Sequence, residues 1–88
     1  MQKIWHDTAW EDYEALQSED KKILKKVNSL LKDIDRNGYN CKGKPEPLKG
    51  DLSGYWSVRI DKKNRIVFRI TDDDKVEIVQ CGMHYGDK

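Results

Sequence analysis

Residues 55–81 read YWSVRIDKKNRIVFRITDDDKVEIVQC, and this stretch decides the fold. Trp56, Val58 and Ile60 alternate with Tyr55, Ser57 and Arg59. Ile66, Phe68 and Ile70 alternate with Arg65, Val67 and Arg69, and Val76 and Ile78 with Glu77 and Val79. Period-two alternation predicts three strands of one sheet with a single face on a core. A slip of one residue would turn every core side chain outward, so the parity of each turn is constrained. Ile60 is expected opposite Ile66 and Val58 opposite Phe68, with Lys62-Lys63-Asn64 as a three-residue turn and Asn64 left-handed. The next hairpin is expected to set Ile70 opposite Val76 through Asp72-Asp73-Asp74. Arg69 then faces Glu77 as a surface ion pair.

Upstream, SEDKKILKKVNSLLKDIDRNG (residues 18–38) places Ile23, Leu24, Val27, Leu30, Leu31 and Ile34 on one stripe of a helix, with lysines opposite. Ser18 is the expected N-cap and Gly38 the stop. An earlier helix is expected from Thr8, because Thr8 and Glu11 have capping-box spacing. Its Trp10, Tyr13 and Leu16 recur every third residue and are expected in the core. A tight connection around Gln17–Asp20 joins the two helices, and MQKIW is a short first strand. The order is β-α-α-β-β-β. The expected fold is therefore α+β: one domain over residues 1–88, with two N-terminal helices packed on one face of a small, largely antiparallel sheet.

Composition narrows the function. No apolar run is long enough to cross a bilayer, and the N-terminus lacks the apolar stretch of a signal peptide, so a cytoplasmic protein with no membrane partner is expected. Cys41 and Cys81 form no C-x-x-C and are expected as unpaired thiols. With His6 and His84 as the only histidines, no metal-ligand spacing is present, and neither a metal site nor a cofactor is expected. The net charge of +1 conceals an uneven distribution. Residues 41–69 carry eight bases against three acids, which suits a phosphate-bearing partner or a solvated basic surface.

Within that segment, CKGKPEPLKG (residues 41–50) sets a single acid, Glu46, between the only two prolines and among three lysines. Prolines on either side limit the backbone of Glu46. With the helices on the face of Val58 and Ile66, Arg59 and Arg65 must point to the other face. Two helices cannot cover both faces, so Glu46, Arg59, Arg65, His84 and Tyr85 are candidates for one open groove. One carboxylate, one imidazole, two guanidiniums and a tyrosine are the groups that metal-free RNA cleavage needs. A base removes the 2′-OH proton, cations stabilise the pentacoordinate phosphate, and an acid protonates the departing 5′-oxygen. A ring can stack on an unpaired base.

The segments KGKPEPLKG, LSGYWSVRI, NRIVFRITDD, KIWHDTAWEDY and the final His-Tyr resemble the YoeB toxins of bacterial type II toxin–antitoxin modules, in the RelE/ParE superfamily. The resemblance runs from Lys3 to Tyr85. It implies a RelE/YoeB-like microbial RNase fold and a ribosome-dependent mRNA endonuclease that cleaves in the A site, leaving a 2′,3′-cyclic phosphate and a 5′-OH. It also implies a YefM-like antitoxin as partner, contact with the ribosome and mRNA, operator DNA only as the toxin–antitoxin complex, and a homodimer left open. Residue by residue, it makes Glu46 the general base, Arg65 the transition-state cation, His84 the general acid and Tyr85 a group that positions or stacks on substrate. Lys44, Lys49 and Arg59 fall to RNA and phosphate binding.

The chain departs from the family pattern near its end. Gly82 and Met83 stand where an arginine and an aromatic are usual, and Gly86-Asp87-Lys88 extends past Tyr85. Two rival readings keep the fold but change the activity: a toxin that poisons DNA gyrase by binding, and a non-catalytic co-repressor of its operon.

Overall fold

The computed structural model describes residues 1–82. Strand β1 (Gln2–Trp5) leads into helix α1 (Asp7–Glu19) and helix α2 (Lys21–Asn37). A 3₁₀ turn, Gly38–Asn40, follows, then strand β2 (Glu46–Pro47), a second 3₁₀ turn, Gly50–Leu52, and strands β3 (Trp56–Arg59), β4 (Arg65–Ile70) and β5 (Lys75–Gly82). The five strands form one sheet in the order β1-β5-β4-β3-β2. Only the β1–β5 pairing is parallel. Both helices lie on one face, as the alternation in residues 55–81 requires. No helix among the described residues is long and apolar enough to cross a membrane.

The α2 stripe explains the packing. Val27, Leu30, Leu31 and Ile34 are buried against Val58, Ile66, Phe68, Val76 and Ile78 of the sheet. Each such side chain contributes roughly 1.5–3 kcal/mol on burial. In α1 only Ala9 is fully buried. Gly38, with φ +58, ends α2 in a backbone conformation that suits glycine.

The helix starts differ from the sequence expectation. The Thr8–Glu11 capping box does not form. α1 begins at Asp7, with His6 at the N-cap and no side-chain cap bond, so Thr8 already lies inside the first turn. α2 is capped by Asp20 rather than Ser18: its carboxylate accepts from the Ile23 amide at 3.1 Å, while its own N–H closes α1 on Leu16 O at 3.1 Å. One residue thus ends one helix and starts the next, and Ser18 stays within α1. Trp10 is 42% exposed, not core. It stacks with Tyr13 and meets Trp5 edge-on, forming an aromatic cluster at the margin of the sheet.

The first hairpin keeps the expected parity but not the expected register. Val58 pairs with Ile66 and Trp56 with Phe68, two residues away from the expected pairing. The Asp61 carboxylate is the reason. It accepts from the amides of Lys63 (2.8 Å) and Asn64 (2.7 Å) and from the Asn64 side chain, organising a five-residue loop from Ile60 to Asn64. That local Asx bonding prevails over the shorter turn, and Asn64 is not left-handed. A shift of two residues leaves every side chain on its face, so Val58, Ile60, Ile66 and Phe68 all stay fully buried. The second hairpin has Ile70 opposite Val76 and Arg69 opposite Glu77, as expected, with Asp74 left-handed at φ +61. Beyond it, a bulge at Val79 offsets β5, so that Ile78 and Cys81, three residues apart, both face the core.

Candidate functional site

Glu46 owes its place to a strand that alternation did not reveal. Residues 41–44 turn through Gly43 at φ +91, whose added Cβ would lie 3.1 Å from Arg59 O and 3.2 Å from Val58 Cβ. The close approach lets Gly43 O accept from Arg59 N at 2.8 Å, pinning the loop to the end of β3. Lys44 follows with φ +53, a left-handed conformation that strains a non-glycine residue by roughly 1–2 kcal/mol. The chain then enters β2, where Glu46 pairs with Ser57 and Pro47 with Trp56. Prolines suit an edge strand, because they have no N–H to lose and deter further pairing.

Register places the site. Residues directly opposite in a sheet share a face. Glu46, Ser57, Val67 and Gln80 therefore form one row across β2, β3, β4 and β5, on the face away from the helices. Arg59 and Arg65 form the adjacent row, directly opposite each other. Glu46 and Arg65 are two strands and one row apart, on the order of 12 Å between backbones. Glu46 and Arg59 are exposed and Arg65 is half-buried. The middle row is not open sheet: Ser57 is 1% and Val67 0% exposed. Lys49 is exposed just before the Gly50–Leu52 turn. His84 and Tyr85, the remaining two expected site residues, lie outside the described residues, as does Met83.

Electrostatics separate two parts of this face. Like charges directly opposite on a sheet are destabilising, yet neither Arg59 nor Arg65 has a carboxylate partner among the described residues. The Glu46 carboxylate accepts no hydrogen bond from a described residue either. Toward the other edge, Glu77 accepts from Arg69 Nε at 2.6 Å, bonds His6 Nε2 at 2.7 Å and accepts from Tyr55 Oη at 2.9 Å. Arg69 also lies over the Tyr55 ring at 5.6 Å. The Arg69 and His6 hydrogen bonds hold the Glu77 carboxyl down at about 2. Burial, and then the Glu77 hydrogen bond, push the Tyr55 phenol up.

A groove of about 520 Å³ opens beside Arg59 between α2, residues 42–44 and the first hairpin. Lys26, Lys42, Lys44, Arg59 and Lys62 rim it, and Leu30 and Ile60 lie beneath. Lys44 and Arg59, expected from the sequence to bind RNA and phosphate, share this groove with Lys26 of the helix. The lysine face of α2 was the available signal for Lys26. Cys41 and Cys81 are unpaired and buried. Burial raises both thiols, Cys81 to about 12, which leaves them protonated and unreactive near neutrality.

This arrangement has close counterparts. A family model described as the YoeB-like toxin of bacterial type II toxin–antitoxin systems matches residues 5–85. The toxin YoeB of Escherichia coli K12 is 48% identical over 85 residues, covering 97% of this chain and all of that protein. Among solved structures, a YoeB/ParE toxin from Agrobacterium tumefaciens superposes with a TM-score of 0.91 at 41% identity, covering 97% of this chain and all of that one. The toxin in a YoeB–YefM complex from Staphylococcus aureus superposes at 0.88 with 43% identity, covering 97% and 98% of the two chains. Sequence and architecture thus agree over nearly the whole length, and the chain belongs to the YoeB-like toxins of bacterial type II toxin–antitoxin systems.

Proposed function

We propose that this toxin is a metal-independent endoribonuclease that cleaves mRNA in the ribosomal A site and so inhibits translation. The observation that carries the reading is the shared face of Glu46, Arg59 and Arg65, on which two guanidiniums oppose each other with no carboxylate partner among the described residues. Such a pair is a site for an anion with two or more oxygens. Glu46, exposed and bracketed by prolines, accepts the proton of a ribose 2′-OH. The 2′-oxygen attacks phosphorus, Arg65 stabilises the charge that grows on the phosphoryl oxygens, and Arg59, Lys44 and Lys49 hold the backbone. His84 donates a proton to the departing 5′-oxygen, and Tyr85 positions or stacks on the substrate. The products are a 2′,3′-cyclic phosphate and a 5′-OH.

The same reading gives the protein a cytoplasmic site of action and a YefM-like antitoxin as its inhibitor. The similar S. aureus toxin, solved in complex with YefM, supports the second point. The test is primer extension on ribosome-bound mRNA, with purified wild type, Glu46→Gln, Arg65→Ala and His84→Gln, beside a gyrase supercoiling assay. Each substitution is expected to lower cleavage by about 100-fold or more, with supercoiling untouched. Wild-type cleavage by all three variants would overturn the mechanism. Inhibited supercoiling without cleavage would return the gyrase reading.

A further inference from the structure

Ser57 has no place in the chemistry so far, yet its position is unusual. Its Oγ is buried without a hydrogen-bond partner among the described residues. Buried hydroxyls are nearly always bonded, so one left open marks a site that is completed by something else. The neighbours in its row identify the missing acceptor. Val67, on β4, is apolar. Gln80, one strand further, stands roughly 10 Å from Ser57 with Val67 between them, and its side-chain N–H donates to Gly82 O at 3.0 Å. On the other side Ser57 is paired directly with Glu46, whose carboxylate has no hydrogen bond of its own to a described residue. Side chains so paired stand with Cβ atoms about 4.5–5.5 Å apart, within the span of a glutamate and a serine hydroxyl.

We infer that Ser57 is a positioning residue for the base: when RNA covers this face, Glu46 folds inward and its carboxylate accepts a hydrogen bond from Ser57 Oγ. This deepens the endonuclease reading and rests on it. The bond fixes which carboxylate oxygen faces the 2′-OH. It also favours the ionised carboxylate at the moment water is excluded. Among the described residues, the charged groups around Glu46 are Lys44 and Lys49 along its own segment, Arg59 of β3 and Arg65 of β4 in the next row, and the Arg69–Glu77 pair one row beyond Ser57. The cations are common to wild type and to any Ser57 variant, so a change in pH dependence on altering Ser57 reports the hydroxyl.

The experiment is single-turnover cleavage of ribosome-bound mRNA across the acid limb of the pH–rate profile, with melting temperatures measured alongside. Ser57→Ala is expected to lose about tenfold in rate near neutrality and to move the acid limb upward by about one pH unit. Its melting temperature should be unchanged or raised, since an unbonded hydroxyl is removed. Ser57→Thr, which restores a hydroxyl, should recover most of the rate and return the limb. If Ser57→Ala cleaves with the wild-type rate and limb while Glu46→Gln is inactive, this inference fails and the endonuclease reading survives. A slowed Ser57→Ala whose limb stays in place, unrescued by threonine, also overturns it, by making the role structural. An active Glu46→Gln overturns this inference together with the role of Glu46 as the base.

Discussion

Arg69 and Arg65 lie on the same strand and the same face, four residues apart, and meet opposite environments. Arg69 has Glu77 across from it at 2.6 Å, in a carboxylate cluster completed by His6 and Tyr55. Arg65 has Arg59 across from it and no acid within ion-pair distance among the described residues. Toward one edge the sheet has arranged its charges for its own stability. Toward the other it tolerates a repulsion, and next to that repulsion stand the strained Lys44 and a Ser57 hydroxyl with no partner among the described residues. Defects of this kind cluster at ligand-binding and catalytic sites, which is the ground for the proposed function. The ligand that would relieve two guanidiniums and a ring of lysines is a phosphate chain.

Substitutions can break that contrast. The largest effect is expected from Arg65→Gln. Cleavage of ribosome-bound mRNA should fall by about 100-fold or more, while stability to urea holds or rises by about 0.2–1 kcal/mol as the repulsion with Arg59 disappears. A destabilised Arg65→Gln would show that Arg65 is structural, like Arg69. Next in size, Glu77→Gln should cost about 1–3 kcal/mol in urea unfolding, because three donors lose a charged acceptor, with mRNA cleavage preserved. Loss of cleavage in that variant would merge the two regions into one functional site.

Acid titration sharpens the same contrast. The Glu77 carboxyl titrates at about 2 in the folded chain against an ordinary 4.5. A depressed carboxyl stabilises the fold above its unfolded value, and that contribution disappears as the pH falls from 4.5 toward 2. Urea midpoints should therefore fall over this window in wild type, and fall less steeply in Glu77→Gln. Equal slopes would mean the cluster does not bind its proton as the geometry implies. The smallest effect is expected from Lys26→Gln on the groove rim. It should weaken binding to single-stranded RNA a few-fold and reduce the slope of log affinity against log salt by about 0.7, one phosphate contact. An unchanged slope would exclude Lys26 from the RNA path.

How much of this was legible before the fold was known varied with the kind of signal. The α2 stripe and the alternation of residues 55–81 are repeated signals, each position reinforcing the next, and both helix placement and strand faces followed them. Glu46, Arg59 and Arg65 were singled out from residue type, resemblance and the parity of their strands. The helix caps were less legible, since Thr8, Ser18 and Asp20 all qualify by type and a single turn of chain decides between them. The first hairpin register was ambiguous by two residues, because such a shift leaves the hydrophobic pattern intact and only Asp61's bonds choose. β2 has two residues and one proline, too short to show any period, and the bulge at Val79 betrayed itself only through the phase of Cys81.

Two layers, the faces of the central strands and the chemical types at the candidate site could be read from the order of residues, because hydrophobic burial acts on periodicity, and periodicity is written along the chain. Only the tertiary structure decided that Glu46 stands beside Ser57 and one row from two opposed arginines. Those neighbours come from strands distant in sequence, and their alignment depends on backbone pairing, a tight approach at Gly43 and a loop organised by Asp61, none of which the order of residue types specifies.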